Sequence, residues 1–204
     1  MSSLAGSSGE TVILGIDPGT NVLGYGVVRG SGRSNLRLEV LGVLELSKYR
    51  DHYLRLRVIY QRVQQLVEQF LPDEVAIEAP FYGQNVQSML KLGRAQGVAI
   101  AAVVAREVPI FEYAPRKIKM AITGSGAASK EQVAAMLRSI LGERGFDQKH
   151  LDATDGLAAA VCHFYQRSAI GGGGHNDGGT SGSRRAKPSS SWEDFVRNNP
   201  NRVR

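Results

Sequence analysis

Four acidic residues stand at the ends of predicted strands and at the start of a predicted helix, where side chains can meet in a site. Asp17 follows the apolar run 11–16, and Glu78 ends the short apolar run 75–77. Asp152 and Asp155 are three residues apart, a spacing that places both side chains on one face of a helix. Ligands of open α/β sheets collect at strand ends, so the pattern is compatible with one shared site.

Asp17 and the acids at the predicted helix start also have purely structural interpretations. Asp17 precedes Pro-Gly and can be a turn residue whose carboxylate accepts backbone hydrogen bonds. Asp152 can be a helix N-cap, because the helix macrodipole favours acids in the first turn by about 0.3–1 kcal/mol. Asp155 precedes the apolar run 156–161, which predicts a buried helix and therefore an Asp155 side chain that faces protein. The spacing alone leaves both interpretations open.

If the four carboxylates converge, their charges repel and a cation is needed to hold them together. Ligand sets made only of oxygen suit Mg²⁺ or Mn²⁺. Two such ions, about 4 Å apart, can activate water and stabilise the leaving oxygen in phosphodiester hydrolysis. The candidate catalytic and metal-binding residues are therefore Asp17, Glu78, Asp152 and Asp155.

The composition favours a polyanionic partner. The 204 residues carry a formal charge of +6, which by itself is a weak indicator of nucleic-acid binding. Phe81 lies in a Pro/Gly context that predicts an exposed loop, and a ring stacked on an unpaired base contributes about 1–3 kcal/mol. Its neighbour Tyr82 is expected to pack in the core. The residues that can contact phosphates are Lys91, Arg94, Arg116, Lys117, Lys119 and Lys130. For Lys91 or Arg94 taken alone, a solvent-exposed helix face is the simpler interpretation.

The elements that must position these residues alternate along the chain. The runs 11–16 and 23–28 and the alternating stretch 36–46 predict three strands, followed by a long amphipathic helix that ends at Pro72. Three strands followed by alternating helices and strands predict an α/β fold, with a mixed five-stranded sheet and helices on both faces. The later strands are predicted at 75–78 and 109–113, and the later helices at 84–106, 116–122, 129–141 and 153–166.

Composition divides the chain into three zones. Residues 1–10 and 171–204 are rich in Gly and polar residues, so we expect both to be disordered around a domain at 11–170. Cys162 has no partner for an intrachain disulfide and is expected to be buried, and His163 is interpreted as structural. His150, which precedes the acid pair, can assist metal binding or proton transfer, and a solvated or capping role is the simpler interpretation. No run approaches the roughly 18–20 apolar residues of a membrane span, and the N-terminus has no signal-peptide core. We therefore expect a cytoplasmic protein.

The motifs around the four acids resemble those of the bacterial RuvC Holliday junction resolvases. The matching segments are 13–20 with 24–28, 76–81 with 91–97, 113–119 with 124–130, and 151–158, in family order. The resemblance implies a ribonuclease-H-like fold and a homodimer. It implies Mg²⁺-dependent cutting of four-way DNA junctions by paired nicks on opposing strands, in homologous recombination and DNA repair. It also implies cooperation with the RuvA–RuvB branch-migration complex at the bacterial nucleoid.

The same resemblance implies roles for individual residues. All four acids match catalytic metal ligands of the family, with two Mg²⁺ ions expected and Mn²⁺ as a substitute, and some relatives have His at the position of Asp152. Phe81 matches a Phe that stacks at the junction centre, and Lys119 and Lys130 match basic residues that support binding and cleavage. Two features depart from the family pattern: the tail after Ile170 is longer, and Pro80 and Gly83 flank Phe81.

Three other functions fit part of the pattern. An actin-like phosphotransferase or ATPase has a similar first loop, but it needs a second subdomain and leaves Asp152 and Asp155 unexplained. A non-catalytic DNA-binding module explains the basic charge but not the four acids. A YqgF-like nuclease shares the first motif, but such chains are shorter, and the matches at Phe81, Lys119 and Lys130 argue against it.

Overall fold

A five-stranded mixed sheet runs through the computed structural model, which describes residues 9–32, 35–80, 85–142 and 151–171. Within these ranges the sheet has the order β3-β2-β1-β4-β5. The first three strands form an antiparallel meander, and β4 and β5 continue the sheet in parallel with β1. The strands are β1 (Thr11–Asp17), β2 (Val22–Ser31), β3 (Asn35–Glu45), β4 (Glu74–Glu78) and β5 (Ile110–Tyr113).

The helices begin and end at residues with recognisable capping chemistry. Asp51 accepts a hydrogen bond from the backbone N–H of Leu54 at the start of the first helix, which ends at Leu71 in the left-handed conformation. Ser129 and Gln132 form a capping box at another helix start. The helices are α1 (His52–Phe70), α2 (Val86–Val104), α3 (Pro115–Thr123), α4 (Lys130–Leu141) and α5 (Leu151–Gly171).

Both faces of the sheet are covered. Strand side chains alternate between faces, so Leu14 and Ile16 pack with α1 and α2, while Ile13 packs in a second core with α3, α4 and α5. Cys162 is fully buried in that second core, as expected. The predicted mixed five-stranded sheet with helices on both faces is therefore confirmed. Burial of the strands on both sides also explains why they contain long apolar runs.

Helix α5 lies backbone against backbone on β1 and β2. A Cβ atom placed on Gly15 would lie 2.1 Å from the carbonyl oxygen of Gly156, and one on Gly24 would lie 2.2 Å from that of Asp152. Only glycine permits this approach, because any side chain at these positions would overlap the helix backbone. The first turns of α5 are therefore held against the strands that lead to Asp17.

The element boundaries differ from the sequence predictions by a few residues. Helix α5 begins at Leu151 and continues through Gly171, into the segment predicted to be a tail. Glu10 accepts two hydrogen bonds from Arg37, although the sequence places it in the predicted N-terminal extension. The rest of the two segments predicted to be disordered, 1–8 and 172–204, lies outside the described residues. None of the helices in the described ranges combines the length and apolarity needed to cross a membrane.

Candidate active site

Two of the predicted site residues lie side by side at one edge of the sheet. Strands β1 and β4 are parallel, with Ile16 paired with Ile77, so Asp17 and Glu78 are the next residues on neighbouring strands. The apolar residues before each acid anchor it, because they are fully buried in the two cores. The carboxylates therefore emerge where the buried part of each strand ends.

Helix α5 adds the third and fourth acids. The Asp155 side chain is 17% exposed, whereas that of Asp152, nearer the helix start, is 57% exposed. The Lys130 ammonium lies between them, 2.5 Å from Asp155 Oδ2 and 3.1 Å from Asp152 Oδ1. Asp155, Asp17 and Glu78 share a cavity of about 230 Å³, which Lys119 and Lys130 also line. A second cavity, of about 250 Å³, joins Asp17 to Asp152.

The carboxylates in this cavity oppose one another's ionisation. Burial raises the pKa of Asp17 to about 6, with a further contribution from the charge of Asp155 and an opposing one from Lys130. Burial, followed by repulsion from Asp17 and Asp155, raises the pKa of Glu78 to about 8. Burial also raises the pKa of Asp155, although its hydrogen bond to Lys130 opposes the shift. When all three acids are ionised, the cavity therefore has more negative charge than Lys119 and Lys130 neutralise.

The donor set fits a hard divalent cation. Its potential ligand atoms are all carboxylate oxygens, which Mg²⁺ and Mn²⁺ prefer. Among the described residues, no three acidic, His or Cys side chains are drawn together closely enough to enclose an ion. Lys130 instead supplies the positive charge between Asp152 and Asp155. The raised pKa values of Asp17 and Glu78 indicate that additional positive charge would stabilise the ionised site.

The predicted basic residues do not share a single groove. Lys119 and Lys130 line the acidic cavity, whereas Lys91 lines a separate cavity next to Thr20. The physical reason is that α2 covers one face of the sheet and α3 and α4 cover the other. Three predicted basic residues remain. Lys117 Nζ lies 5.0 Å from the centroid of the Tyr113 ring, and Arg116 packs against Gly126. Arg94 is exposed on α2.

Three residues discussed from the sequence, Phe81, Tyr82 and His150, lie outside the described residues. A residue that the sequence interpretation did not select is Gln96. It is a buried polar side chain of α2 that lines a cavity of about 80 Å³ together with Asp17 and Glu78. The available signal was a glutamine on the otherwise apolar, sheet-facing stripe of a helix, where buried polar groups need a reason.

A buried polar chain ties α5 to the strands that carry the site. The Tyr113 hydroxyl lies 2.6 Å from His163 Nδ1, and His163 Nε2 lies 2.9 Å from Glu74 Oε2. Burial lowers the pKa of His163 against the opposing effect of Glu74, which favours a neutral ring. Tyr113 pairs with Glu78 across β5 and β4. The His163 contacts therefore fix the position of the α5 helix relative to the strand that presents Glu78.

A mixed five-stranded sheet in this order, with acids at two adjacent strand ends and on a helix crossing them, defines the ribonuclease-H-like class of nucleases. The family model described as crossover junction endodeoxyribonuclease RuvC matches residues 13–163. The chain therefore belongs to the RuvC family, whose members are metal-dependent endonucleases that act in DNA recombination.

Individual relatives match over nearly their whole lengths. The RuvC of Christiangramia forsetii is 54% identical over 195 residues, covering 96% of this chain and 94% of that protein. The RuvC of Porphyromonas gingivalis is 54% identical over 198 residues, covering 96% and 98%. The structure of T. thermophilus RuvC in complex with Holliday junction substrate superposes with a TM-score of 0.71 at 35% identity, covering 78% of this chain and 96% of that one.

These alignments correct one expectation about the tail. Because 96% of the chain is covered, most of segment 171–204 also has a counterpart in the two relatives from Christiangramia forsetii and Porphyromonas gingivalis. The tail is thus not a departure from these relatives. Not every family member has such a tail: the match to T. thermophilus RuvC covers 96% of that chain but only 78% of this one.

Proposed function

We propose that this chain resolves four-way DNA junctions by paired nicks on opposing strands, through metal-dependent hydrolysis at Asp17, Glu78, Asp152 and Asp155. The observation that carries the proposal is the shared cavity in which Asp17, Glu78 and Asp155 meet, with pKa values raised by burial and mutual repulsion. The T. thermophilus relative, which was solved with a Holliday junction substrate, supports the choice of DNA.

In this proposal, the carboxylates of Asp17, Glu78 and Asp155 hold the metal, and the exposed Asp152 is the most replaceable ligand. Two Mg²⁺ ions, or Mn²⁺, supply water activation and stabilisation of the leaving oxygen when bound. Lys119 and Lys130 orient the scissile phosphate and stabilise the charge that develops on it, because both line the cavity of the acids. Burial excludes bulk water from Glu78 and strengthens these electrostatic interactions.

We propose that DNA contacts outside the cavity come from the more distant basic residues and from one aromatic ring. Lys91, Arg94, Arg116 and Lys117 would contact phosphates, which supply affinity without sequence information. Phe81 would stack on a base at the junction centre. Its support is the family resemblance of the segment around Glu78.

The test is cleavage of a synthetic four-way junction in Mg²⁺ by the wild type and by Asp155→Asn. We expect the variant to lose at least about a thousandfold in cleavage rate while still binding the junction, because it keeps the shape of the site but loses a ligand charge. Glu131→Gln, an exposed acid on α4, is the matched control and should cut normally. Equal wild-type rates on linear duplex and junction would contradict the proposed selectivity, and ATP hydrolysis without DNA would favour the actin-like alternative.

Paired nicks need two active sites, and we propose that a homodimer supplies them, because a two-fold enzyme matches a two-fold substrate. The support is an exposed apolar stripe on α2, where Val86, Leu90 and Val104 are 70%, 55% and 58% exposed. The small residues Gly97 and Ala101 lie exposed between them and would allow close helix packing. Isolated exposed apolar residues are ordinary, whereas a stripe along one helix is typical of an interface.

Sedimentation equilibrium tests the dimer. Leu90→Glu should shift the wild-type dimer towards monomer and reduce paired nicking more than single nicking. Met136→Glu, which changes an exposed residue of α4, is the control and should leave the association unchanged. A wild-type protein that sediments as a monomer at working concentrations would contradict the homodimer.

We also propose that the enzyme acts in homologous recombination and DNA repair in the bacterial cytoplasm, close to the nucleoid. Its substrate would come from the RuvA–RuvB branch-migration complex. Membership of the RuvC family supports this assignment.

A further inference from the structure

A basic cavity of about 280 Å³ lies beside the proposed active site, between the β1–β2 loop and the first turns of α1 and α2. It is lined by Arg50, His52, Arg55 and Lys91, together with the loop residues Thr20 and Asn21. We infer that this basic cavity binds a backbone phosphate of the DNA strand that is cut, a few nucleotides from the scissile phosphate. The inference rests on the proposed junction-cutting function and adds to it a specific anchor for the strand.

The charge of the basic cavity is not neutralised by acids. No Asp or Glu is among the described residues that line it. Neither Arg50 nor Lys91 forms an ion pair with another residue in the described part of the chain, whereas Arg29 and Arg37 on the sheet pair with Glu39. Unpaired cations around a concave surface favour binding of an anion of matching size.

Asp51 is adjacent to Arg50 in sequence, and its carboxylate caps a helix. Its carboxylate accepts a hydrogen bond from the backbone N–H of Leu54 as the N-cap of α1. The N-terminus of α1 is therefore already capped by a carboxylate, and this capping fixes Asp51 at the start of the helix. The positive charge of the cavity therefore comes from its side chains, Arg50, Arg55 and Lys91.

The wall of the basic cavity is built in advance by Arg55. Its guanidinium donates hydrogen bonds to the carbonyl oxygens of Tyr49 and Thr20, at 2.7 and 2.9 Å, and to Asn21 Oδ1 at 2.9 Å. These contacts fix the loop after Asp17 relative to α1. A preformed site loses less conformational entropy when a ligand binds.

One polar atom at the basic cavity still lacks a partner. The Nε2 atom of His52 is buried and has no hydrogen-bond partner among the described residues. Buried polar atoms are nearly always hydrogen-bonded, so an orphaned one calls for an explanation. A phosphate in the cavity could become its partner only if the His52 side chain turned towards the cavity, which it lines.

The basic cavity lies within reach of the strand held at the acids. Thr20 and Asn21 line both this cavity and the neighbouring one that contains Asp17 and Asp152. Thr20 follows Asp17 by three residues, which limits their Cα separation to about 11 Å. Because each nucleotide advances the strand by at least about 3.4 Å, roughly three nucleotides or fewer can span that separation. A phosphate on the cut strand can therefore occupy the basic cavity while the scissile phosphate is at the acids.

The experiment combines a protein variant with single-phosphate substitution. Each phosphate within about five nucleotides of the cut is replaced in turn by an uncharged methylphosphonate. Junction affinity is then measured for the wild type and for Arg50→Gln/Lys91→Gln, with cleavage rates measured in parallel. The control is Lys48→Gln/Arg57→Gln, which removes the same charge from exposed residues that do not line the cavity.

We expect Arg50→Gln/Lys91→Gln to bind the junction about tenfold more weakly. The slope of log affinity against log salt concentration should decrease in magnitude by about one, the value for one lost phosphate contact. At one position, the methylphosphonate should weaken the wild type about tenfold and leave this variant almost unchanged. Uniform effects at every position, or an equal loss in the control, would overturn the inference. Competition by inorganic phosphate or ATP without any position-specific coupling would assign the cavity to a free ligand and also overturn it. A wild type that binds but does not cut junctions would instead contradict the proposed function.

Discussion

Replacing Glu78 with Gln should stabilise the metal-free protein at pH 8. Burial, followed by repulsion from Asp17 and Asp155, raises the pKa of Glu78 from 4.5 to about 8. Because one pKa unit corresponds to about 1.4 kcal/mol, ionised Glu78 costs the folded state at most about 5 kcal/mol. The amide has the same shape without the charge, and part of the cost is shared with the neighbouring acids. We therefore expect Glu78→Gln to increase the free energy of unfolding by about 1–3 kcal/mol.

The sign of the pH dependence follows from proton binding. Between pH 4.5 and about 8, the folded wild type holds a proton on Glu78 that the unfolded chain has lost. Its stability therefore falls as the pH rises through this window. Asp17 contributes in the same direction between its ordinary pKa of 3.8 and about 6. Near pH 4, Glu78 is mostly protonated in both states, so the advantage of the variant should disappear.

Thermal unfolding in EDTA at pH 4, 6 and 8 measures the effect. A gain of about 2 kcal/mol corresponds to a Tm increase of roughly 4–8 °C for a chain of this size. Adding Mg²⁺ should stabilise the wild type more than the variant, since a cation offsets the same repulsion. The control is Glu112→Gln, an exposed acid on β5. A lower Tm for Glu78→Gln at pH 8, or an equal shift at pH 4 and pH 8, would refute the reasoning.

Two further changes test how α5 is held in place. Gly156→Ala should lower the free energy of unfolding by about 3 kcal/mol, because the added methyl carbon would lie 2.5 Å from a β2 carbonyl oxygen. Gly93→Ala, where nothing lies within 4 Å, is the control for urea denaturation and should not destabilise. His163→Leu should cost about 2–3 kcal/mol at pH 8, because it leaves the buried Tyr113 hydroxyl without its hydrogen-bond partner and leaves Glu74 with only its Arg167 contact. Since burial lowers the pKa of His163, the wild type should lose stability below about pH 6.5, and the variant should lose less.

The amino-acid sequence determined the elements and the orientation of several site residues. The apolar run before Asp17 predicted a strand, and the structure buries that strand on both faces, which is the environment in which continuous apolar residues are stable. The apolar residues after Asp155 predicted a buried helix, and Asp155 is indeed more buried than Asp152. The motif order identified the family, because four ordered segments constrain far more positions than any single acid.

Tertiary structure decided which residues meet. Periodicity shows that one face of an element is buried, but it does not reveal what covers that face. The placement of β4 beside β1 brought Glu78 to Asp17, and the glycine contacts brought α5 close enough to add Asp155. The bridging position of Lys130, the buried Gln96 and the basic cavity could not be derived from spacing. Each depends on contacts between segments far apart in sequence, and local residue patterns do not encode such contacts.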